Sequence, residues 1–393
     1  MGPDAPRTVL YVNATSEIGG GDLCLLRTVK GLDPARYRAV VALPSDGPLV
    51  GDFRAADADV RFVEMVKPKF RWSPVYWLRV WRSMKRTGCV LADLARECGA
   101  ALVHTNSLHV PYGSAAARRA NLPHVWHVRE IPVRHGWFTR FQRRHALARA
   151  DRLVAMSDAV AQLFARDGQV PTKVVRIYGD VEPHWFEIES DRAAILQRWN
   201  LPADSELAAI TCRFDPWKGL DVVMRAAARL ALKHPRLRTL FVGGEILGHE
   251  SYPDELARLA RELGVEDRVV FTGWLAPEEI PPLVASVDLV VHASRWPEPF
   301  GLVIAEAMAA GTHVVATAHG GPVEFVRPGE TGRLAEPDDP KSLAREMDAA
   351  LSNPETSAHM VENARALARR EFSLEENTRK LMAVYDEILE GRA

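Results

Sequence analysis

Short β-branched, apolar runs alternate with stretches of helical periodicity along the whole chain, and this alternation admits few folds. In the first half the runs fall at 8–13, 38–43, 60–65, 101–105, 124–128, 152–156 and 173–177. In the second half they fall at 207–212, 238–242, 269–272, 289–293 and 313–316. Most of the gaps carry amphipathic periodicity, as at 78–97, with a break at Gly88, and at 140–150. Strands that alternate with helices predict an α/β fold of parallel sheets covered on both faces. Leu289-Val290-Val291 shows the continuous apolarity of a strand buried on both sides.

A chain of 393 residues is too long for one ordinary core. Patterning is weakest over 179–191, which places a boundary there. The expected domains are 1–185 and 186–370, followed by a helical tail at 371–393. Two α/β domains facing each other across a cleft would offer a favoured place for a ligand. The 50 Lys and Arg balance 51 Asp and Glu, so no electrostatic footprint for nucleic acid is present. Cys24, Cys89, Cys98 and Cys212 stand far apart without a C-x-x-C pair, which suits buried thiols in a reducing cytoplasm. The first residues lack a signal pattern, and no apolar run approaches the roughly 20 residues of a spanning helix. The expected location is the cytoplasm, either soluble or peripheral at the inner face of the membrane.

The chemistry concentrates in Trp296-Pro297-Glu298-Pro299-Phe300-Gly301, directly after the run at 289–293. Prolines on both sides of Glu298 hold it out of the helical region, on a loop at the carboxyl end of a strand. Open α/β sheets bind ligands at that edge. A helix is expected over 302–310, ended by Gly311. Its start, with free amides near Phe300, Gly301 and Leu302, suits a diphosphate. Glu306 lies about one turn into that helix, so two carboxylates could hold hydroxyl-bearing groups at different depths. Arg213 and Lys218, just past the run at 207–212, supply the cations a phosphate needs.

These residues, in this order, resemble the retaining glycosyltransferases of family 4, whose fold is GT-B: two Rossmann-like parallel-sheet domains, with a C-terminal helix packing back on the N-terminal one. The signature is a Glu followed by Pro-Phe-Gly and, eight positions on, a second Glu, matched by Glu298 and Glu306. The resemblance covers nearly the whole chain. It takes in Gly19-Gly20-Gly21, Trp126-His127-Val128-Arg129-Glu130, Met156-Ser157-Asp158, Lys218-Gly219, Val242-Gly243-Gly244, Val270-Phe271-Thr272-Gly273 and Gly320-Gly321-Pro322-Val323-Glu324. It implies an N-terminal acceptor-binding domain and a C-terminal donor-binding domain.

The resemblance also implies roles. Glu306 would bind the ribose hydroxyls of a nucleotide and Glu298 the hydroxyls of the donor sugar. Arg213 and Lys218 would neutralise the diphosphate, helped by the backbone of Phe300, Gly301 and Leu302. His127 would contact the sugar near the reacting carbon. Gly19 and Gly20 would approach phosphate or acceptor closely, and Gly273 belongs to the same substrate-binding set. The implied reaction is retaining hexosyl transfer from a nucleotide sugar, UDP-linked before GDP-linked, to a hydroxyl of a glycan, a lipid-linked or a natural-product acceptor. No cofactor and no essential metal are expected. The competing readings are a nucleotide-sugar epimerase of the same fold, for which no proton-abstracting base is identified, and a silent sugar-nucleotide-binding protein. The linker departs from the family's Asn-Gly-Val-Asp, reading Gly179-Asp180-Val181-Glu182.

Other signals are weaker. Asp57-Ala58-Asp59 spells a metal-binding D-x-D but precedes a strand without supporting context, so a polar turn is expected. His104, His109, His124 and His127 have no metal-ligand spacing, and a polar cleft edge is their expected setting. Two basic-aromatic stretches, 67–86 and 134–144, suit an anionic membrane surface or a lipid-linked acceptor. The preferred reading is an amphipathic helix that buries its aromatics and leaves Arg outside. Oligomeric state is not legible.

Overall fold

The computed structural model describes residues 5–65, 74–132, 136–246 and 248–391. The stretch at 67–86 therefore lies partly outside the described residues. Contacts divide the chain into two units, one formed by 1–180 with 374–393, the other by 181–373.

Among the described residues the first unit holds seven strands: β1 (Arg7–Val12), β2 (Tyr37–Leu43), β3 (Asp59–Phe62), β4 (Ala100–Asn106), β5 (His124–Val128), β6 (Arg152–Ala155) and β7 (Val174–Arg176). All pair in parallel, in the order β3-β2-β1-β4-β5-β6-β7. Side chains of successive residues leave a strand on opposite faces. In β1, Val9 and Tyr11 enter one apolar cluster while Leu10 and Val12 enter another. Both faces are thus buried, as the unbroken apolar runs require.

The helix Leu374–Glu390 completes one of these faces. Its Leu381, Val384, Tyr385 and Ile388 lie in the same cluster as Val9, Tyr11 and Leu25. It starts three residues later than the tail expected at 371–393. Phe372 is instead held by an aromatic trio with Phe300 and Phe325 in the second unit, and the bridge between Val181 and Ser373 marks where the chain leaves it.

The second unit holds β8 (Glu206–Thr211), β9 (Leu237–Val242), β10 (Val269–Gly273), β11 (Leu289–His292), β12 (His313–Thr317) and β13 (Arg333–Ala335). These are also parallel, in the order β10-β9-β8-β11-β12-β13. In each sheet the order reverses once, between β1 and β4 and between β8 and β11. Two smaller expectations resolve here. Asp57 takes a left-handed turn (φ 57°) and Asp59, paired with Arg61 at 2.9 Å, already opens β3, so the D-x-D runs from a polar turn into a strand. No described helix is long and apolar enough to cross a membrane.

The expected polar edge of histidines is corrected. His104, His124 and His127 are buried in the first unit, because their strands lie in its centre. His124 Nε2 lies 2.7 Å from the Thr105 hydroxyl, and His104 Nδ1 lies 2.6 Å from the Tyr385 hydroxyl. That hydroxyl is 3.2 Å from the hydroxyl of Tyr11. Tyr385→Phe removes the shared partner of two buried polar groups. Its expected cost is about 1–3 kcal/mol, read as a lower urea midpoint with an unchanged slope.

Candidate functional site

Ligands of open parallel sheets bind at the carboxyl ends of the strands that flank a reversal of strand order. In the second unit those ends belong to β8 and β11. The chain leaves β8 through Arg213 into a single tight turn, Pro216–Lys218, which the Asp215 side chain caps by accepting from the Trp217 amide at 3.2 Å. Gly219 follows at φ 70°, where a Cβ would lie 2.2 Å from the carbonyl oxygen of Ala293. Only glycine lets the turn approach the end of β11 this closely. Arg295 secures the approach. Its amide donates to the Trp217 carbonyl at 2.8 Å, and its guanidinium donates to the Pro216 carbonyl at 2.6 Å and to Asp221 at 2.7 Å.

This packing delivers Lys218 to Glu298. The ammonium donates to Glu298 Oε2 at 2.8 Å and lies 3.9 Å from the centre of the Trp217 ring. The Ser294 hydroxyl donates to the same oxygen at 2.9 Å, and His292 Nε2 lies 3.2 Å from it. Among the described residues no protein group hydrogen bonds Glu298 Oε1. Burial pushes the Glu298 carboxyl up. The charge of Lys218 and the hydrogen bonds from His292 and Lys218 outweigh it, leaving the group well below the usual carboxylate range. The carboxylate therefore stays ionised and is a weak base.

The backbone of this loop is fixed by a second glycine contact. Gly320 stands at φ 75°, with its Cβ position 2.3 Å from the Glu298 carbonyl oxygen, and the Gly321 amide donates to that oxygen at 2.8 Å. Gly301, left-handed at φ 87°, caps the helix Leu302–Ala310. The amides of Leu302 and Val303 open that helix without a carbonyl one turn back, the Gly301 carbonyl being taken by Ile304 at 2.9 Å, and they present partial positive charge. The Phe300 side chain is core, so only its backbone can face a ligand. Glu306 lies on the same helix, 9% exposed. Arg213 is exposed at the end of β8 and makes no ion pair or side-chain hydrogen bond among the described residues. Gly273 ends β10 in a left-handed conformation, its carbonyl accepting from Gly243 at 3.2 Å.

The structure thus brings Lys218 and Glu298 into contact and places Arg213, Phe300, Gly301, Leu302, Glu306 and Gly273 in the same unit. His292 and Ser294 were missed in the sequence. Their signal was a histidine and a serine alternating at the end of an otherwise apolar run.

His127, Gly19 and Gly20 belong to the first unit. Gly19 precedes the helix Gly20–Lys30, at the exit of β1. The loop is held by Asn13, whose amide donates to Asp22 at 2.7 Å and whose carbonyl oxygen accepts from Asn106 at 3.1 Å. Arg129 donates to Asn106 at 2.6 Å. His127 lies on β5, 3% exposed, and neither ring nitrogen has a protein partner among the described residues. Burial, then the charge of Arg129, hold its pKa well below the ordinary value, so the imidazole is neutral.

Residues 19–179 match the family described as Glycosyl transferase 4-like domain, and residues 191–367 match Glycosyl transferases group 1. Among curated proteins the chain is similar to the D-inositol 3-phosphate glycosyltransferase of Mycolicibacterium paratuberculosis, 33% identical over 74% of this chain and 63% of that protein. It is also similar to D-inositol 3-phosphate glycosyltransferase 1 of Catenulispora acidiphila, 36% identical over 62% of this chain and 59% of that protein. The chain thus spans less than two thirds of the length of these relatives. Among solved structures, the Anabaena protein HepE in complex with UDP superposes with a TM-score of 0.83 at 26% identity, covering 97% of this chain and 100% of that one. The same Anabaena protein has also been solved with UDP-glucose.

Lys218→Met would leave a nearly buried carboxylate without its cation, at an expected cost of about 3 kcal/mol at neutral pH. Glu298→Gln in the same chain should restore part of it. Because the folded pKa of Glu298 is depressed, the stability it contributes is present above the ordinary glutamate value and is lost as pH falls through the folded value. Urea midpoints of wild type and Lys218→Met should therefore converge as pH falls below that ordinary value.

Proposed function

The chain belongs to the group 1 glycosyl transferases, and from its site we infer that it moves a hexosyl unit from a nucleotide sugar to an acceptor hydroxyl with retention of anomeric configuration. The observation that carries this reading is the convergence of Lys218, Ser294 and His292 on Glu298 Oε2, one short loop away from a glycine-capped helix start. The donor's phosphates are assigned to the amides around Phe300, Gly301 and Leu302 and to Arg213 and Lys218. The hydroxyls of the transferred sugar are assigned to Glu298, and those of the ribose to Glu306. His127 is assigned a hydrogen bond to the sugar, which a neutral imidazole with two unpartnered nitrogens can make. Gly19, Gly20 and Gly273 complete the substrate contacts.

In the reaction proposed, the bond between the anomeric carbon and the diphosphate oxygen breaks while the acceptor oxygen bonds that carbon on the same face. The acceptor proton passes to the departing phosphate. Preorganised positive charge at the leaving group drives such a step more than a strong base does. The state of Glu298 supports this over double displacement. A carboxylate with one oxygen held by three groups and a depressed pKa is a poor nucleophile. A uridine nucleotide is preferred because the Anabaena neighbour binds UDP. Transfer is preferred to epimerisation because the curated relatives carry glycosyltransferase names.

A thermal-shift series across UDP-, GDP-, ADP- and TDP-sugars tests the reading. At a hundredfold excess over Kd a true donor stabilises the fold by about 2.7 kcal/mol, and UDP-sugars are expected to give the largest rise. No shift with any of them would refute it. Glu306→Ala is expected to weaken nucleotide binding. Glu298→Ala should lower kcat with a smaller effect on nucleotide affinity, measured as release of the nucleoside diphosphate.

A further inference from the structure

The first unit carries a second cationic cluster that the reaction does not use. After β5 the chain forms the helix Trp137–Arg149, on which Arg140, Arg143, Arg144 and Leu147 recur at the three- and four-residue spacing that lines up one face. That face is one wall of a cavity of about 550 Å³, whose opposite wall includes Leu163, Phe164, Arg166 and Asp167. Leu163 and Phe164 are buried and give it an apolar floor. Arg166 sits on a rigid turn. It exchanges two backbone hydrogen bonds with Gln169, both 2.9 Å, across Asp167 and Gly168 in left-handed conformations.

Four guanidinium groups therefore surround one cavity, and its lining offers a single carboxylate, Asp167. None of the four arginines makes an ion pair or a side-chain hydrogen bond among the described residues. Arg176, by contrast, lies 3.3 Å from Asp158. Arg143 is the most demanding. Its Nε is buried without a partner, and burial pushes its guanidinium pKa down. A buried donor left unpaired is costly, and like charges one turn apart on a helix repel. Both are relieved by an anion with several oxygens, to which guanidinium forks bind in pairs.

We propose that this cavity is a binding site for a phosphate group, with Arg143 at its base and Arg140, Arg144 and Arg166 around it. The phosphate is that of a soluble phosphorylated molecule or of a lipid headgroup. Trp137 and Phe141, 56% and 58% exposed on the same helix, offer apolar surface to the rest of either carrier. The site does not depend on the donor reading, since its lining is drawn from the first unit alone.

Isothermal titration of inorganic phosphate into the full chain, at constant ionic strength held with chloride, tests it. The comparison is between wild type, the double variant Arg140→Gln/Arg144→Gln, and Lys218→Ala. Arg140 and Arg144 are exposed, so their replacement leaves the core packing in place. Phosphate is expected to keep in Lys218→Ala a binding phase seen in wild type that the double variant weakens at least tenfold. No binding to wild type, or equal binding to the double variant, would overturn the proposal, and loss in Lys218→Ala alone would assign the phosphate to the other unit. Sedimentation with phosphatidylglycerol and with phosphatidylcholine vesicles identifies the carrier. Pelleting with phosphatidylglycerol only, lost in the double variant, marks a lipid headgroup. No pelleting, with phosphate binding intact, marks a soluble phosphate.

Discussion

A carboxylate removed from water keeps its charge only where the protein supplies the charge and hydrogen bonds that water would have supplied. At Glu298 this requirement fixes much of the surrounding backbone. The ammonium of Lys218 must arrive from another strand, 80 residues away in sequence. It arrives because Gly219 has no side chain to strike Ala293 and because Arg295 ties the turn down. The loop that carries Glu298 must in turn be held from its far side, and Gly320 and Gly321 hold it there through backbone contacts alone. Gly219, Gly320 and Gly321, which look like scattered small residues in the sequence, are points at which two loops touch.

The two units repeat one solution with different contents. Each is a parallel sheet whose strand order reverses once, and in each the chains leaving the strands at the reversal carry the polar residues. In the second unit they meet in an ion pair. In the first they meet in a hydrogen-bonded chain that runs from the Asp22 carboxylate through the amides of Asn13 and Asn106 to the Arg129 guanidinium. A carboxylate site with a cation suits groups that bring hydroxyls and phosphates together.

Much of this was legible in the sequence because periodicity is a local property. Twelve of the thirteen strands among the described residues announce themselves as apolar runs, and the proline pair around Glu298 places that residue on a loop without reference to anything distant. β13 escaped because it is three residues long, Arg333-Leu334-Ala335, too short for alternation to register. His292 and Ser294 escaped because their role depends on Glu298 folding back over the end of their own strand. His104, His124 and His127 were misread as an edge, whereas His109 is exposed. A histidine reads as polar in a sequence, and only its partner, such as Tyr385 for His104, reveals that it can be buried. That partner lies 281 residues away.

The helix Leu374–Glu390 belongs to the first unit although it is encoded after the whole of the second. During synthesis the first sheet is therefore made early, but one of its apolar faces, already partly covered by Leu25, Val29 and Phe53, lacks the rest of its cover until the chain has come back. Val9, Tyr11 and Leu25 wait for Leu381, Tyr385 and Ile388 across that interval. The second unit, continuous in sequence from 181 to 373, has no such wait. The first unit thus takes part of its core from a segment that follows the whole of the second in sequence, so a chain cut anywhere between the two leaves Val9, Tyr11 and Leu25 short of their last apolar partners.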